Sequence, residues 1–155
     1  MSTKTFVGFY LERIYANEVI TVSAMDGADT FAGSGVFTSG VYGLIGLIPL
    51  VIKRQPTLAT EVVVYELTAN GKLAQIFGSL GETRCRWTEA KIVGFCRENL
   101  GKLLTDGYAN FFECEGFIAY VFVADKDIGV DIFDPNHNKT WYADCKHRVF
   151  VLKKK

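Results

Sequence analysis

The stretch Phe31 to Ile52, FAGSGVFTSGVYGLIGLIPLVI, sets the first constraint on any fold this chain adopts. It runs 22 residues without a charge, between Asp29 and Lys53. A fold must bury such a segment, hand it to a partner or place it in a membrane. Its length matches the roughly 20 apolar residues that a spanning helix needs. Three features speak against a span. Phe31 to Gly40 is mostly Gly, Ala, Ser and Thr. The dense apolar part is only Val41 to Ile52, a length that suits a buried segment. Pro49 would also remove a helical hydrogen bond and collide with the preceding turn.

Read as a helix capped by Thr38 or Ser39, Val41 to Ile48 has no polar face, and such a helix belongs in a core or an interface. Gly40, Gly43 and Gly46 recur every third residue and would leave one side smooth enough for another backbone to approach. The expected interface is therefore Gly40, Gly43, Leu44, Gly46 and Leu47, facing either the chain's own core or a second subunit. Leu50 to Ile52 would begin a strand.

The rest reads as one domain spanning residues 1–155. Apolar residues make up 49% and charged residues 22%, a globular balance. Seventeen basic and 17 acidic residues leave no net charge. That argues against a dedicated nucleic-acid binder and removes one safeguard against self-association. Lys153 to Lys155 is the only charge run and reads as a solvated tail. The opening MSTKTFVGFY lacks the apolar core of a signal peptide. Cys85, Cys96, Cys114 and Cys145 form no CxxC, so the expectation is a cytoplasmic protein with reduced thiols.

Thr5 to Leu11 and Glu18 to Ala24 read as paired strands, and Glu61 to Thr68 as a central one. Ala69-Asn70-Gly71-Lys72 predicts a tight turn, with Leu73 to Phe77 as the return strand. Glu89 to Thr105 has helical periodicity behind a Thr88 cap, with Glu98 and Lys102 as an i,i+4 pair. Strands at Tyr108–Cys114, Phe117–Val123, Gly129–Phe133, Trp141–Asp144 and His147–Leu152 would complete a meander. The expected class is α+β: a mainly antiparallel sheet of hairpins and a C-terminal meander. One amphipathic helix and the Gly-rich apolar segment would pack against it.

Catalytic signals are sparse. On a strand, Cys145 and His147 would share a face, and a Cys-His pair can supply a thiolate nucleophile. Adding Asp134 and His137 gives metal-binding residue types without metal-site spacing. Gly35 to Gly40 has the glycine spacing of a phosphate loop, but Val41 and Tyr42 stand where Lys and Ser or Thr belong. Asp125 to Asp131 echoes a calcium loop with its glycine misplaced. The 12 Phe, 7 Tyr and 2 Trp sit among apolar and acidic residues rather than basic ones, which favours packing over base stacking. No cofactor and no metal are expected.

The leading expectation is a non-enzymatic interaction or structural protein, homo-oligomeric or docking a protein partner. The alternatives are a small hydrolase using Cys145 or Cys96 with His147, and a membrane-associated protein held by residues 31–52.

Overall fold

The computed structural model describes residues 6–48, 56–81 and 84–154. Pro49 to Ile52, and the strand expected to start there, lie outside them. Ten strands form one mixed sheet: β1 (Phe6–Val7), β2 (Leu11–Ile14), β3 (Ile20–Val22), β4 (Gly40–Gly43), β5 (Thr60–Leu67), β6 (Arg84–Cys85), β7 (Asn110–Cys114), β8 (Phe117–Ala124), β9 (Asp127–Phe133) and β10 (Arg148–Lys153). The order across the sheet is β1-β2-β5-β10-β7-β8-β9-β4, with β3 added on β5 and β6 on β10.

This corrects the expected mainly antiparallel sheet with a terminal meander. β10 lies parallel to β7, and β4 lies parallel to β9. The meander ends at β9, and the last strand returns to the centre between β5 and β7. Its composition explains the place. Val149, Phe150 and Leu152 are all buried, so β10 presents apolar side chains to both faces and needs cover on both.

β2 and β3 do not pair with each other. Both lie along one edge of β5, with Leu11 opposite Leu67 and Ile20 opposite Val62. The link between them leaves the edge at Tyr15, whose φ is 56°. β8 and β9 form a hairpin closed by Asp125 and Lys126, with Asp125 at φ 56° as a two-residue turn requires.

Two helices cover the faces. α1 (Leu73–Gly78) replaces the expected return strand. Gly71 exchanges backbone hydrogen bonds with Trp141 at 3.0 and 2.7 Å, so the Asn-Gly turn leads away from a hairpin. The Gln75 side chain accepts from the Lys72 N–H at 2.9 Å, closing a helical first turn. Leu73, Ile76 and Phe77 then bury a helix-spaced stripe.

α2 (Glu89–Glu98) begins as expected, with the Thr88 hydroxyl accepting from the Lys91 N–H at 3.2 Å. It ends seven residues early, and Leu100–Lys102 continues as a 3-10 turn. The expected Glu98–Lys102 pair is absent because each finds a distant partner. Glu98 accepts from Ser23, and Lys102 bonds Glu18 at 2.6 Å.

The sheet therefore has two cores. Under α2, Val62, Val64, Phe95, Phe112 and Phe150 pack together, and the Trp87 indole donates to the Phe150 carbonyl at 2.9 Å. On the other face, Leu11, Leu67, Phe111, Ile118 and Val149 pack against α1 and Trp141.

Candidate functional site

The uncharged stretch splits into two halves of opposite fate. Its first half is anchored in the core. Phe31 and Phe37 are buried edge to face, with ring centroids 5.3 Å apart. The Phe31 N–H donates to Glu89 at the start of α2, at 2.8 Å.

The second half is not a helix. Gly40–Gly43 is the strand β4, and Ile45–Leu47 is a single 3-10 turn. Glycine at three-residue spacing weakens helix formation, and a partner strand was on offer in β9. Leu44 N–H donates to the Ile132 carbonyl at 2.9 Å, which binds the end of β4 to that partner. Since amides alternate along a strand, Val41 and Gly43 turn theirs to the open side.

The five residues assigned to an interface are thus dispersed. Gly43 makes the predicted close backbone approach, but to β9 of its own chain. A Cβ there would lie 2.2 Å from Asp131 Oδ1 and 2.5 Å from the Ile132 carbonyl, and φ is +82°. Gly40 belongs to the same strand, opposite Gly129. Leu47 turns back onto the core. Leu44 and Gly46 face solvent, and nothing lies within 4 Å of a Cβ at Gly46. The outward apolar surface is Tyr42 (46% exposed), Leu44 (53%) and Ile45 (50%). Ile45 and Tyr42 were missing from the sequence expectation because helical spacing selects a different set of neighbours than a strand followed by a turn.

β4 ends the sheet order and has a neighbour on one side only among the described residues. Such an edge offers backbone donors and acceptors to an incoming strand. Proteins commonly protect edges with Lys or Pro, and β4 carries neither.

The Cys145–His147 pair does not form the expected arrangement. Ala143–Cys145 is a 3-10 turn, and Lys146 follows in the left-handed region at φ 55°. Between them they break the strand geometry that would align the two side chains. No hydrogen bond joins Cys145 to His147 among the described residues. Instead, His147 Nδ1 accepts from the buried Ala109 N–H at 2.9 Å. The ring proton therefore belongs on Nε2. Phe111, Trp141 and Tyr108 pack around the ring.

Burial, with a smaller contribution from the Lys139 charge, lowers the His147 pKa to about 4. At neutral pH this imidazole is a structural acceptor rather than a general base. Asp134 and His137 form a local turn, with Asn136 N–H donating to Asp134 at 2.8 Å. No group of three or more His, Cys, Asp or Glu among the described residues could hold a metal ion. Among them, too, no helix is long and apolar enough to cross a membrane.

Fold and site together define an α+β domain with a ten-stranded mixed sheet and an uncharged, partly apolar open edge. Compared with known proteins, the chain gives no significant match to a family model, a curated protein or a solved structure.

Proposed function

We propose that the chain is a cytoplasmic, non-enzymatic assembly protein that pairs with a second copy of itself along β4. The observation that carries the reading is the terminal position of β4 together with the half-exposed Tyr42, Leu44 and Ile45. An edge strand can accept a further strand through main-chain hydrogen bonds, with side chains supplying specificity.

A second copy suits this edge for two reasons. β4 and the turn after it carry no charge, so an antiparallel meeting of two copies sets no like charges against each other. The chain as a whole also has no net charge to hold copies apart. Pairing about a two-fold axis is self-complementary and closes after two copies. The cytoplasmic placement rests on four free cysteines, a state that a reducing compartment maintains.

Size-exclusion chromatography with light scattering, without detergent, tests the reading. A dimer is expected. The double variant Leu44→Lys with Ile45→Lys should shift it to monomer, while Gly46→Ala should leave it unchanged. A wild-type monomer at all accessible concentrations would end the proposal.

A further inference from the structure

The pairing of strands places one carboxylate within a field of aromatic rings. On the face covered by α1, Asp131 of β9 stands directly opposite Tyr120 of β8 on one side and Tyr42 of β4 on the other. Directly opposed side chains on a sheet lie about 5 Å apart, within contact. Phe133 follows two residues along the same strand and stacks on Tyr120, with centroids 5.9 Å apart. Phe122 completes the row, 6.0 Å from Tyr120 and 6.2 Å from Tyr42. Its ring lies over Gly129, where a Cβ would come within 2.1 Å of it. The rings of Tyr42, Tyr120, Phe122 and Phe133 all keep some solvent exposure, as does Asp131.

Asp131 lacks a direct counterion. Among the described residues no salt bridge reaches it. The groups that favour its charged form are the Ile132 backbone N–H and, at a distance, Lys139 and His137. Partial burial outweighs all three and raises the Asp131 pKa. A partly desolvated carboxylate with no salt-bridge partner leaves its charge uncompensated, and an incoming cation relieves it.

The same aromatic group already receives one ammonium. Lys139 Nζ sits 4.3 Å from the centroid of the Trp141 ring, and Trp141 packs edge-on against Tyr120 and Phe133. Cations are drawn to aromatic faces, most strongly where water is partly excluded.

We propose that Asp131, with Tyr42, Tyr120, Phe122 and Phe133, forms a receptor for an organic ammonium group. The carboxylate supplies the charge, and the ring faces supply the cation–π surface. The ammonium belongs either to a small quaternary amine or to a lysine side chain of a peptide, methylated or not. The carboxylate and three of the rings lie on a face of the sheet away from the open edge, and only Tyr42, on β4, is shared with the surface proposed for self-association.

The two indoles make the test internal. Trp141 packs beside the proposed site, whereas Trp87 lies in the core on the opposite face. Tetramethylammonium chloride, a short peptide bearing one trimethyl-lysine and the same peptide bearing leucine would each be titrated into labelled full-length protein, with sodium chloride matched throughout. The indole N–H signals would be followed by NMR.

The expected result is a saturable shift of the Trp141 signal with a charged ligand, and a Trp87 signal that stays in place. Binding of tetramethylammonium alone would point to a free amine as ligand. Binding of the methylated peptide alone would point to a lysine side chain. In the isosteric variant Asp131→Asn, affinity should fall by about tenfold or more. Equal shifts with the leucine peptide or with sodium chloride, or unchanged affinity in Asp131→Asn, would overturn the proposal. If Asp131→Asn fails to fold, the comparison of charged and leucine peptides on the wild-type chain decides alone.

Discussion

His147 offers a prediction whose size and sign both follow from its surroundings. Replacing it with Phe keeps a ring among Phe111, Trp141 and Tyr108 but removes the acceptor that holds the buried Ala109 N–H. An orphaned buried donor costs roughly 1–3 kcal/mol. Wild type should exceed His147→Phe by that amount at pH 7.5, where the imidazole is neutral in folded and unfolded chains alike. Acid then narrows the gap. The unfolded histidine titrates at its ordinary value of 6.5, whereas the folded one waits until about 4.

Between those values the unfolded state binds the extra proton, so stability falls as pH falls. The contribution is fully present above pH 6.5 and lost by about pH 4. The whole shift corresponds to about 3 kcal/mol at 1.36 kcal/mol per pH unit, and partial solvent screening of the ring reduces the usable part to about 1–2 kcal/mol. Urea denaturation at pH 7.5, 6.5, 5.5 and 4.5, monitored by tryptophan fluorescence, measures it in both proteins. Ionisation of the groups that both proteins share cancels in the difference. A wild-type advantage that stays constant from pH 7.5 to 4.5 would refute the buried, neutral, accepting imidazole.

Two further outcomes are expected. Gly43→Ala should cost about 2 kcal/mol or more, since it adds a Cβ at φ +82° against Asp131 and the Ile132 backbone; a neutral result in a thermal melt would mean that β4 does not lie on β9 as described. Iodoacetamide under native conditions should modify Cys85 and Cys145 well before Cys96 and Cys114, as peptide mass mapping would show. Burial raises the thiol pKa of both slow residues, and the Glu113 and Glu89 charges add to it at Cys114.

The parts of this fold that could be read from the chain are those settled by neighbours in sequence. The start of α2 follows from a Thr cap and a periodic apolar stripe, and the β8–β9 hairpin follows from apolar runs around Asp125 and Lys126. What could not be read depends on partners far along the chain. Nothing local says that Gly71 will bond Trp141 instead of turning back on itself, or that β10 will pass β8 and β9 to lie beside β5. Parallel pairing is the hardest case, because alternation marks a strand without naming its neighbour. The site was legible only as a segment. Its absence of charge was visible, but the choice between helix and strand, which decides what faces outward, was made by β9.

The glycines show how that choice changes their meaning. On a helix, Gly40, Gly43 and Gly46 would clear a side for another backbone. On the sheet, Gly43 makes room for the Asp131 carboxylate beside it, and Gly129, opposite Gly40, makes room for the Phe122 ring. Any side chain at either position would have to displace an acid or an aromatic from the face they share. The small residues therefore do not weaken this edge without return. They let a carboxylate and four rings lie close along one face, while the amides of β4 remain turned to the open side. Self-pairing would use those amides, and ammonium binding would use the face. Tyr42, half exposed and opposite Asp131, stands where the two surfaces meet. Its substitution by Ala is the single change that should weaken both, whereas Leu44→Lys should impair pairing alone and Asp131→Asn ammonium binding alone.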